Sequence, residues 1–278
     1  LAGELRDADV LMINEEFPFG TTGEAALDKQ YTFRTDPSFV SAFQDMGADL
    51  VGLANNHVLD FGQSALLETF ATLDGANLRY AGAGENLSRA KELQIFEVKG
   101  KRLGFLAASR VWPDTSWAAG EEHPGVFGTY DPTLLLSAIT AAKEEAACDF
   151  VTVFVHWGIE RNPLPEDYQR DLAAQYAAAG ADLVIGMHPH VLQGIEYAGD
   201  TPVFYSLGNF IFGGRTYNTA AVKATIAPDG TVQITVLPCI ASGGCTRLAE
   251  GSDAERIYST LTTLSFGAAV DENGNLTR

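Results

Sequence analysis

Five segments of the sequence end an apolar run with side chains that can bind a metal ion or move a proton. Only five histidines occur among the 278 residues, and four of them fall in these segments. In open α/β sheets, functional groups gather at the carboxyl ends of strands, so separate clusters of this kind can converge on one site. The segments are residues 14–16, 55–62, 156–160, 186–190 and 205–210.

The pair His188 and His190 is the most specific signal. Two imidazoles two positions apart point to the same side of an extended backbone, and a kink at Pro189 could direct them to one metal or to two adjacent ones. The alternative is two surface histidines in a turn. His156 also follows an apolar run directly, and as one of a set it is interpreted as a third ligand. Alone, it would more often be a core histidine.

Asn56 and His57 follow another apolar run and need different roles, because adjacent side chains diverge. An amide oxygen suits a hard divalent cation, which leaves His57 to act on the substrate. Asp60 could accept a hydrogen bond from one ring nitrogen of His57 and fix its tautomer. His57 and Asp60 are therefore the predicted catalytic residues. The alternatives are turn chemistry for Asn56 and a helix N-cap for Asp60.

Glu15 and Glu16 follow the first predicted strand. One carboxylate could bridge two cations while the other is solvated or pairs with Arg34, and we favour Glu16 as the ligand. A charged loop at a strand end is the alternative. The predicted metal ligands are Glu16, Asn56, His156, His188 and His190, a mixed nitrogen and oxygen set that fits Mn, Fe or Zn better than Ca or Mg alone.

Composition limits the classes of fold and partner. A chain of 278 residues that is 46% hydrophobic can bury a large core, and one domain over residues 1–278 is expected. The net charge of −18 argues against a nucleic-acid partner, and an anionic substrate would need a metal to offset repulsion. No apolar run approaches the roughly 18–20 residues of a membrane-spanning helix.

Of the three cysteines, Cys239 and Cys245 could pair across a turn, and Cys148 is expected to be a packed thiol.

Apolar runs alternate with helical patterns in the rhythm of βα units, which predicts an α/β fold. Glycines at 47, 75 and 180 suit the left-handed position that ends a helix. After residue 194, short strands and an Asp-Gly turn predict antiparallel hairpins. Residues 110–130 form either a functional loop or a surface excursion. The predicted strands are residues 8–13, 50–54, 103–108, 150–155 and 183–185, and the predicted helices are residues 37–46, 63–73, 132–147 and 166–179.

Four ordered blocks resemble the signature motifs of the CapA family, also called PgsA, of poly-γ-glutamate capsule biosynthesis proteins. They read LANNHVLDFG (residues 53–62), HWGIE (156–160), GMHPHVLQG (186–194) and YSLGNFIF (205–212). The resemblance covers about residues 8–212. That family is similar to the calcineurin-like metallophosphoesterases, so the resemblance implies an α/β sandwich of two mixed β-sheets flanked by helices, with one or two metals at the strand ends.

The resemblance also implies a role for each matching residue. Glu16 stands where a bridging carboxylate belongs, and Asn56 where an amide ligand belongs. His156 and His188 would complete one metal site, His190 would belong to a neighbouring metal, and His57 would be the general acid. The implied chemistry is attack of a metal-activated hydroxide on a phosphoryl or related centre.

Two features depart from the family pattern. Family members open with a strand that ends in a Gly-Asp block, whose aspartate is a principal ligand, and no such block precedes Leu1. Its absence would leave the His190 metal incomplete. Met187 stands where another histidine is common.

The resemblance implies a capsule biosynthesis protein with a metal-dependent, phosphoesterase-like hydrolytic site for a phosphate-containing or γ-glutamyl substrate. The alternative is a non-catalytic extracytoplasmic component that binds poly-γ-glutamate or membrane components of its synthase and keeps only the hydrolase fold. Either implies an extracytoplasmic protein at the cell surface, or one anchored to the membrane through a segment absent from this chain.

Overall fold

The computed structural model describes residues 1–27 and 29–278. The chain divides into two compact units, an N-terminal unit of residues 2–156 and a C-terminal unit of residues 157–278 with Leu1. Both units combine strands with helices that pack on them. The predicted α/β class, with several sheets flanked by helices, is confirmed; the single domain stays a prediction. Within the described residues, no helix is long and apolar enough to cross a membrane.

The N-terminal unit contains five α-helices and eight strands among its described residues. The helices are α1 (Ala2–Arg6), α2 (Ser41–Met46), α3 (Gly62–Gly75), α4 (Leu87–Ala90) and α5 (Thr133–Glu144), with 3-10 turns at Pro37–Val40 and Thr115–Trp117. The strands are β1 (Met12–Asn14), β2 (Leu50–Gly52), β3 (Arg79–Ala81), β4 (Ala83–Gly84), β5 (Gln94–Val98), β6 (Lys101–Ser109), β7 (Gly125–Val126) and β8 (Phe150–His156).

Parallel pairing in this unit brings strand ends to common edges. Strands β1, β2 and β3 are parallel neighbours in that order, with Asn14 opposite Gly52. Strand β6 pairs in parallel with β8 and antiparallel with β5, so Ser109 lies opposite His156 at the ends of their strands. The short strands β4 and β7 pair with each other. The residues that follow β1, β2 and β8 are those that the sequence marked as functional.

Helical periodicity explains which faces are buried. Helix α5 buries Leu135, Ile139 and Ala142, spaced four and three residues apart, and packs on β6 and β8. Helix α3 packs on β3 and contributes Leu66, Phe70 and Leu73 to a large apolar cluster that also contains Phe19, Val51 and Leu53. This core lies directly beneath the turn that follows β2, because Val58 and Leu59 of that turn belong to it.

The signals for helix ends are only partly confirmed. Gly47 has φ 82° and ends α2 as predicted. Gly75 instead lies inside α3, and Asn77 takes the left-handed conformation with φ 57°. Asn tolerates this region because its short side chain can hydrogen-bond locally. The alternative that Asp60 caps α3 is wrong, because the N-cap position is Phe61.

The C-terminal unit contains two helices and eight strands among its described residues. The helices are α6 (Asp167–Ala179) and α7 (Ser252–Leu264). The strands are β9 (Leu183–Met187), β10 (Ile195–Ala198), β11 (Thr201–Phe204), β12 (Tyr217–Ile226), β13 (Val232–Ser242), β14 (Cys245–Leu248), β15 (Ala269–Val270) and β16 (Leu276–Thr277). Gly180, with φ 111°, ends α6 as predicted.

The change of pattern after residue 194 corresponds to antiparallel strands, as predicted. Strand β9 pairs in parallel with β11, and β10 pairs antiparallel with β11. The Asp-Gly turn joins β12 to β13, which pairs in turn with β14. In that register Cys239 lies opposite Leu248, while Cys245 lies opposite Ser242, and both thiols are free. The suggested disulfide is therefore absent.

A charged network ties α6 to β10. Arg170 donates two hydrogen bonds to Glu196, from Nη2 to Oε1 at 2.7 Å and from Nε to Oε2 at 2.9 Å. Tyr205 donates its hydroxyl to Oε2 at 2.8 Å. The Arg170 hydrogen bond is the main cause that lowers the pKa of Glu196 below its ordinary value. Burial, followed by the Glu196 carboxylate, raises the pKa of the Tyr205 hydroxyl.

We predict that Glu196→Gln lowers the free energy of unfolding by about 1 kcal/mol at pH 7, since a charge-assisted pair that is partly exposed is discounted for solvent screening. Because folding lowers the pKa of Glu196, its contribution is present above the unfolded pKa and is lost as the pH falls through the folded value. Urea unfolding should therefore show a smaller difference at pH 3. Asp200→Asn, in the exposed pair with Arg278, is the matched control. Equal losses at both pH values would contradict this assignment.

Candidate metal and catalytic site

Three predicted ligands of the N-terminal unit lie together. His156 Nε2 is 2.8 Å from Asn56 Oδ1 and 3.5 Å from Glu16 Oε1. Glu16 follows β1, Asn56 follows β2, and His156 ends β8. His156 is fully buried and Asn56 is buried, whereas Glu16 is partly exposed. The cluster is therefore an edge site that solvent reaches on the Glu16 side.

The spacing of these three atoms suits a shared cation. A metal bound about 2.1 Å from each ligand holds neighbouring ligand atoms about 3.0 Å apart in octahedral geometry and about 3.4 Å apart in tetrahedral geometry. The observed separations of 2.8 and 3.5 Å fall around these values. One carboxylate, one amide oxygen and one imidazole make the mixed donor set that Mn, Fe and Zn accept. The residues of the N-terminal cluster therefore fit such a metal.

A chain of amides orients Glu16. Asn55 Nδ2 donates to Asn14 Oδ1 at 3.3 Å, and Asn14 Nδ2 donates to Glu16 Oε2 at 3.1 Å. Because Oε2 is held by Asn14, Oε1 is the carboxylate oxygen that faces His156. Hydrogen-bonded partners of this kind fix the direction of a metal ligand. Asn14 lies in the marked segment of residues 14–16, but no sequence pattern assigns it this role.

Asn55 also closes the turn that presents Asn56 and His57. Its Oδ1 accepts the N–H groups of His57 and Val58, both at 3.0 Å, and its Nδ2 donates to the Glu15 carbonyl at 2.6 Å. The side chain is fully buried. The Asn55 side chain therefore joins the segment after β1 to the turn after β2. A substitution of Asn55 would remove all these hydrogen bonds together.

His57 and Asp60 are in contact, as their roles require. His57 Nδ1 lies 2.7 Å from Asp60 Oδ2, and both side chains are buried. This contact leaves Nε2 as the ring nitrogen available to a substrate. Their catalytic roles stay predictions.

Two residues missed by the sequence analysis complete this group. Lys29 Nζ lies 3.0 Å from His57 Nδ1 and also donates to Asp60 Oδ1 and to the Asn56 carbonyl. Phe33 donates its N–H to Asp60 Oδ2 at 2.7 Å, and its ring lies 4.5 Å from the His57 ring between centroids. Neither residue lies in a periodic segment or a motif, so no local signal marks them.

Glu15 differs from the prediction. It was expected to be solvated or paired with Arg34, yet its side chain is fully buried, and among the described residues no donor bonds either carboxylate oxygen. Arg34 instead lies over the Phe61 ring and donates to the Thr22 carbonyl. The backbone explains the burial, because the Glu15 N–H bonds Gly52 O and continues the β1–β2 pairing. Desolvation raises the pKa of Glu15 well above its ordinary value.

The loop of residues 110–130 lies beside this cluster, as its position after β6 predicts. Arg110 N–H donates to the His156 carbonyl at 2.7 Å. Trp117 is buried, and its ring centroid is 5.1 Å from Lys29 Nζ. The loop is thus partly built into the core of the N-terminal unit, which argues against a plain surface excursion.

In the C-terminal unit, His188 and His190 follow β9 on a backbone that few residues adopt. Their φ angles are 98° and 59°, in the left-handed region that costs a non-glycine residue about 1–3 kcal/mol. The Pro189 carbonyl between them accepts the Arg161 N–H at 2.8 Å, which helps to hold this turn. Strained backbone of this kind is typical of functional positions.

The two rings are placed for metal binding within their own unit. Their ring centroids are 5.9 Å apart, and one nitrogen of each ring lies within 4.8 Å of one nitrogen of the other. His190 Nδ1 lies 2.7 Å from Asn209 Oδ1, a contact in which Nδ1 can donate and leave Nε2 to bind a metal. Asn209 explains why the segment 205–210 was marked, although it was not among the predicted ligands. Membership of His188 and His190 in one site with the N-terminal cluster stays a prediction.

Gly186 fixes the course of β9 before these histidines. A Cβ at this position would lie 2.1 Å from the Tyr205 carbonyl oxygen and 2.3 Å from Trp157 Nε1. The Trp157 indole donates to the same carbonyl at 3.0 Å, and Trp157 is fully buried. Only glycine therefore allows this close approach.

We predict that Asn55→Ala lowers the free energy of unfolding by about 2–4 kcal/mol, because it leaves buried backbone groups of Glu15, His57 and Val58 without partners. The matched control is Asn86→Ala, which removes the single N-cap bond to Arg89 N–H and should cost about 1 kcal/mol. Urea unfolding of both variants measures the difference. A smaller loss for Asn55→Ala than for Asn86→Ala would contradict the role of Asn55.

Comparison with known proteins identifies the family. A family model described as "Bacterial capsule synthesis protein PGA_cap" matches residues 1–214. The PGA biosynthesis protein CapA of Bacillus subtilis (strain 168) is 37% identical over 215 residues, which cover 76% of this chain and 56% of that protein. The capsule biosynthesis protein CapA of Bacillus anthracis is 34% identical over 267 residues, 93% of this chain and 64% of that protein. The chain thus spans less than two thirds of the length of either relative.

Among solved structures, the NAD nucleotidase NadN of Haemophilus influenzae is a distant neighbour. Its TM-score is 0.42 at 13% identity, over 77% of this chain and 36% of that one. The sequence identities of 37% and 34% to the two Bacillus relatives are much higher than the 13% identity to this structure. The prediction from the four motifs is confirmed, and the chain belongs to the CapA-type family of bacterial capsule synthesis proteins, PGA_cap.

Proposed function

We propose that this chain carries a metal-dependent, phosphoesterase-like hydrolytic site that serves poly-γ-glutamate capsule synthesis. The observation that carries the proposal is the convergence of Glu16 Oε1, Asn56 Oδ1 and His156 Nε2, with His57 held by Asp60 next to Asn56 in the chain. A cluster of metal donors beside a positioned histidine is the arrangement that hydrolytic metal sites require.

The metal would be Mn, Fe or Zn, held in the N-terminal unit by Glu16, Asn56 and His156. When bound, it would lower the pKa of a bound water and offset the charge of an anionic substrate. We propose that His188 and His190 of the C-terminal unit are metal ligands as well. The strained backbone of this pair and the Asn209 bond to His190 support that assignment.

The chain's own residues would handle the proton. Asp60 accepts a hydrogen bond from Nδ1–H of His57, so Nε2 can take up a proton and then pass it to the leaving group as the substrate bond breaks. The Phe33 ring covers one face of the imidazole and limits its rotation. His57 would thus act in a fixed orientation.

The substrate would be a phosphate-containing or γ-glutamyl compound, and poly-γ-glutamate or membrane components of its synthase would be the partners. The support is the family and the names of the Bacillus relatives, which refer to PGA and capsule biosynthesis. A net charge of −18 would repel such a polyanion unless bound metal compensates locally. Action on a capsule polymer also favours an extracytoplasmic location.

We predict that the purified protein binds near-stoichiometric Mn, Fe or Zn, and that His156→Ala loses it. His57→Ala should keep the metal while hydrolysis of p-nitrophenyl phosphate falls about 10²–10⁴-fold, the contribution of a general acid. Elemental analysis and turnover of each variant measure the two effects separately. His123→Ala is the matched control, because the His123 ring contacts Gln63 and lies outside both clusters.

Circular dichroism establishes that each variant folds. Wild-type protein that binds no metal, even after reconstitution with each ion, would contradict the hydrolase proposal. Metal bound without turnover of phosphoesters or γ-glutamyl substrates, together with polymer binding insensitive to His57→Ala, would favour the non-catalytic component instead.

A further inference from the structure

Two residues on either side of Lys29 in the chain, Ala26 and Phe33, bond to the turn that carries His57. Ala26 N–H donates to the Asp60 carbonyl at 2.7 Å, and Phe33 N–H donates to Asp60 Oδ2 at 2.7 Å. The Phe33 ring packs against the His57 ring. Ala26 and Phe33 are therefore both fixed to this one turn, and Lys29 lies between them in the chain.

Lys29 reaches three groups of that turn at once. Its ammonium donates to Asp60 Oδ1 and to the Asn56 carbonyl, and it lies 3.0 Å from His57 Nδ1. The Lys29 side chain is 12% exposed and the Asp60 side chain is fully buried. An ammonium has three N–H donors and no acceptor, so it can satisfy several acceptors that a neutral side chain would leave unpaired.

The contacts divide the two oxygens of Asp60 between different partners. Lys29 takes Oδ1, whereas Phe33 N–H and His57 share Oδ2. A carboxylate held at both oxygens cannot rotate about its last bond without breaking a charge-assisted contact, and such contacts are about twice as strong as neutral ones. Lys29 therefore sets the plane of the carboxylate that His57 meets.

We propose that Lys29 is a positioning residue for His57. By holding Asp60 Oδ1 and the Asn56 carbonyl, it directs Asp60 Oδ2 at the Nδ1–H of His57 and keeps Nε2 as the reactive nitrogen. The same ammonium ties the backbone of Asn56 to the histidine beside it, so one side chain couples the metal ligand and the proton donor in space. The catalytic consequence rests on the proposed function, whereas the effect on the ring of His57 does not.

A purely structural role is the competing account. A buried aspartate needs a compensating charge whether or not a histidine is nearby, and removing one partner of a buried pair is strongly destabilising. Such a role would change stability but not the proton position on a histidine in molecules that remain folded. The two accounts therefore differ in what happens to the ring of His57.

The test compares Lys29→Ala with Lys29→Arg in the full chain, and Lys99→Ala is the control because Lys99 forms an exposed pair with Asp9. Nitrogen-15 NMR of the histidine rings reports which nitrogen carries the proton, with His57→Gln used to assign the signal. We expect Nδ1–H in wild type and Lys99→Ala, and a mixture of both tautomers in Lys29→Ala. Arginine should restore the wild-type pattern incompletely, because its planar guanidinium cannot place two N–H donors at Asp60 Oδ1 and the Asn56 carbonyl in the way that the compact ammonium does.

Kinetics with p-nitrophenyl phosphate gives a second readout. For Lys29→Ala we expect kcat to fall about 10–100-fold, the usual effect of a group that orients another, with KM and metal content nearly unchanged. Added ethylamine should restore part of kcat, and tetramethylammonium, which cannot donate a hydrogen bond, should not. If wild type has no turnover, the proposed function fails, and the NMR comparison alone decides the role of Lys29.

An unchanged His57 tautomer in folded Lys29→Ala would overturn the proposal. If the alanine variant does not fold, Lys29→Met, which keeps the apolar stem, replaces it. If both neutral variants unfold, a wild-type tautomer and kcat in Lys29→Arg would show that charge alone matters, and would overturn the proposal equally.

Discussion

The hydrogen bonds of Asn55 are the interaction on which the candidate site depends. This fully buried amide accepts from two N–H groups of the turn after β2 and donates to the backbone after β1. It also begins the chain of amides that directs Glu16 at His156. Without it, neither the turn that presents Asn56 and His57 nor the segment that presents Glu16 would have a defined position. The geometry of the site thus follows from one satisfied buried polar group.

The carboxylates of this region are the second constraint, and the three have different partners. Asp60 is bonded at one oxygen by Lys29 and at the other by Phe33 N–H. Glu16 is partly exposed and is oriented by an amide, which leaves one oxygen directed at the cluster. Glu15 has no such donor among the described residues, and desolvation raises its pKa. The position of each carboxylate, rather than its residue type, determines what it can do.

Much of this arrangement could be predicted from the sequence, because strand ends and histidines carry local signals. The runs before His156 and His188, and the glycines that end α2 and α6, specify elements whose ends carry the functional residues. Local rules failed where a long-range contact overrides them. Glu15 is buried because the β1 backbone continues to pair with Gly52, although charged residues are usually exposed. Lys29 is separated from its partners by 27–31 residues and lies in no periodic segment, so only the folded chain identifies it.

Anomalous diffraction from crystals soaked in zinc would test the proposed metal site at Glu16, Asn56 and His156, since it locates the metal independently of any substrate. We expect a peak about 2.0–2.2 Å from Glu16 Oε1, Asn56 Oδ1 and His156 Nε2, with the His57 to Asp60 contact intact beside it. A fully soaked crystal with no peak at these three atoms, or with zinc bound only at surface carboxylates, would contradict it.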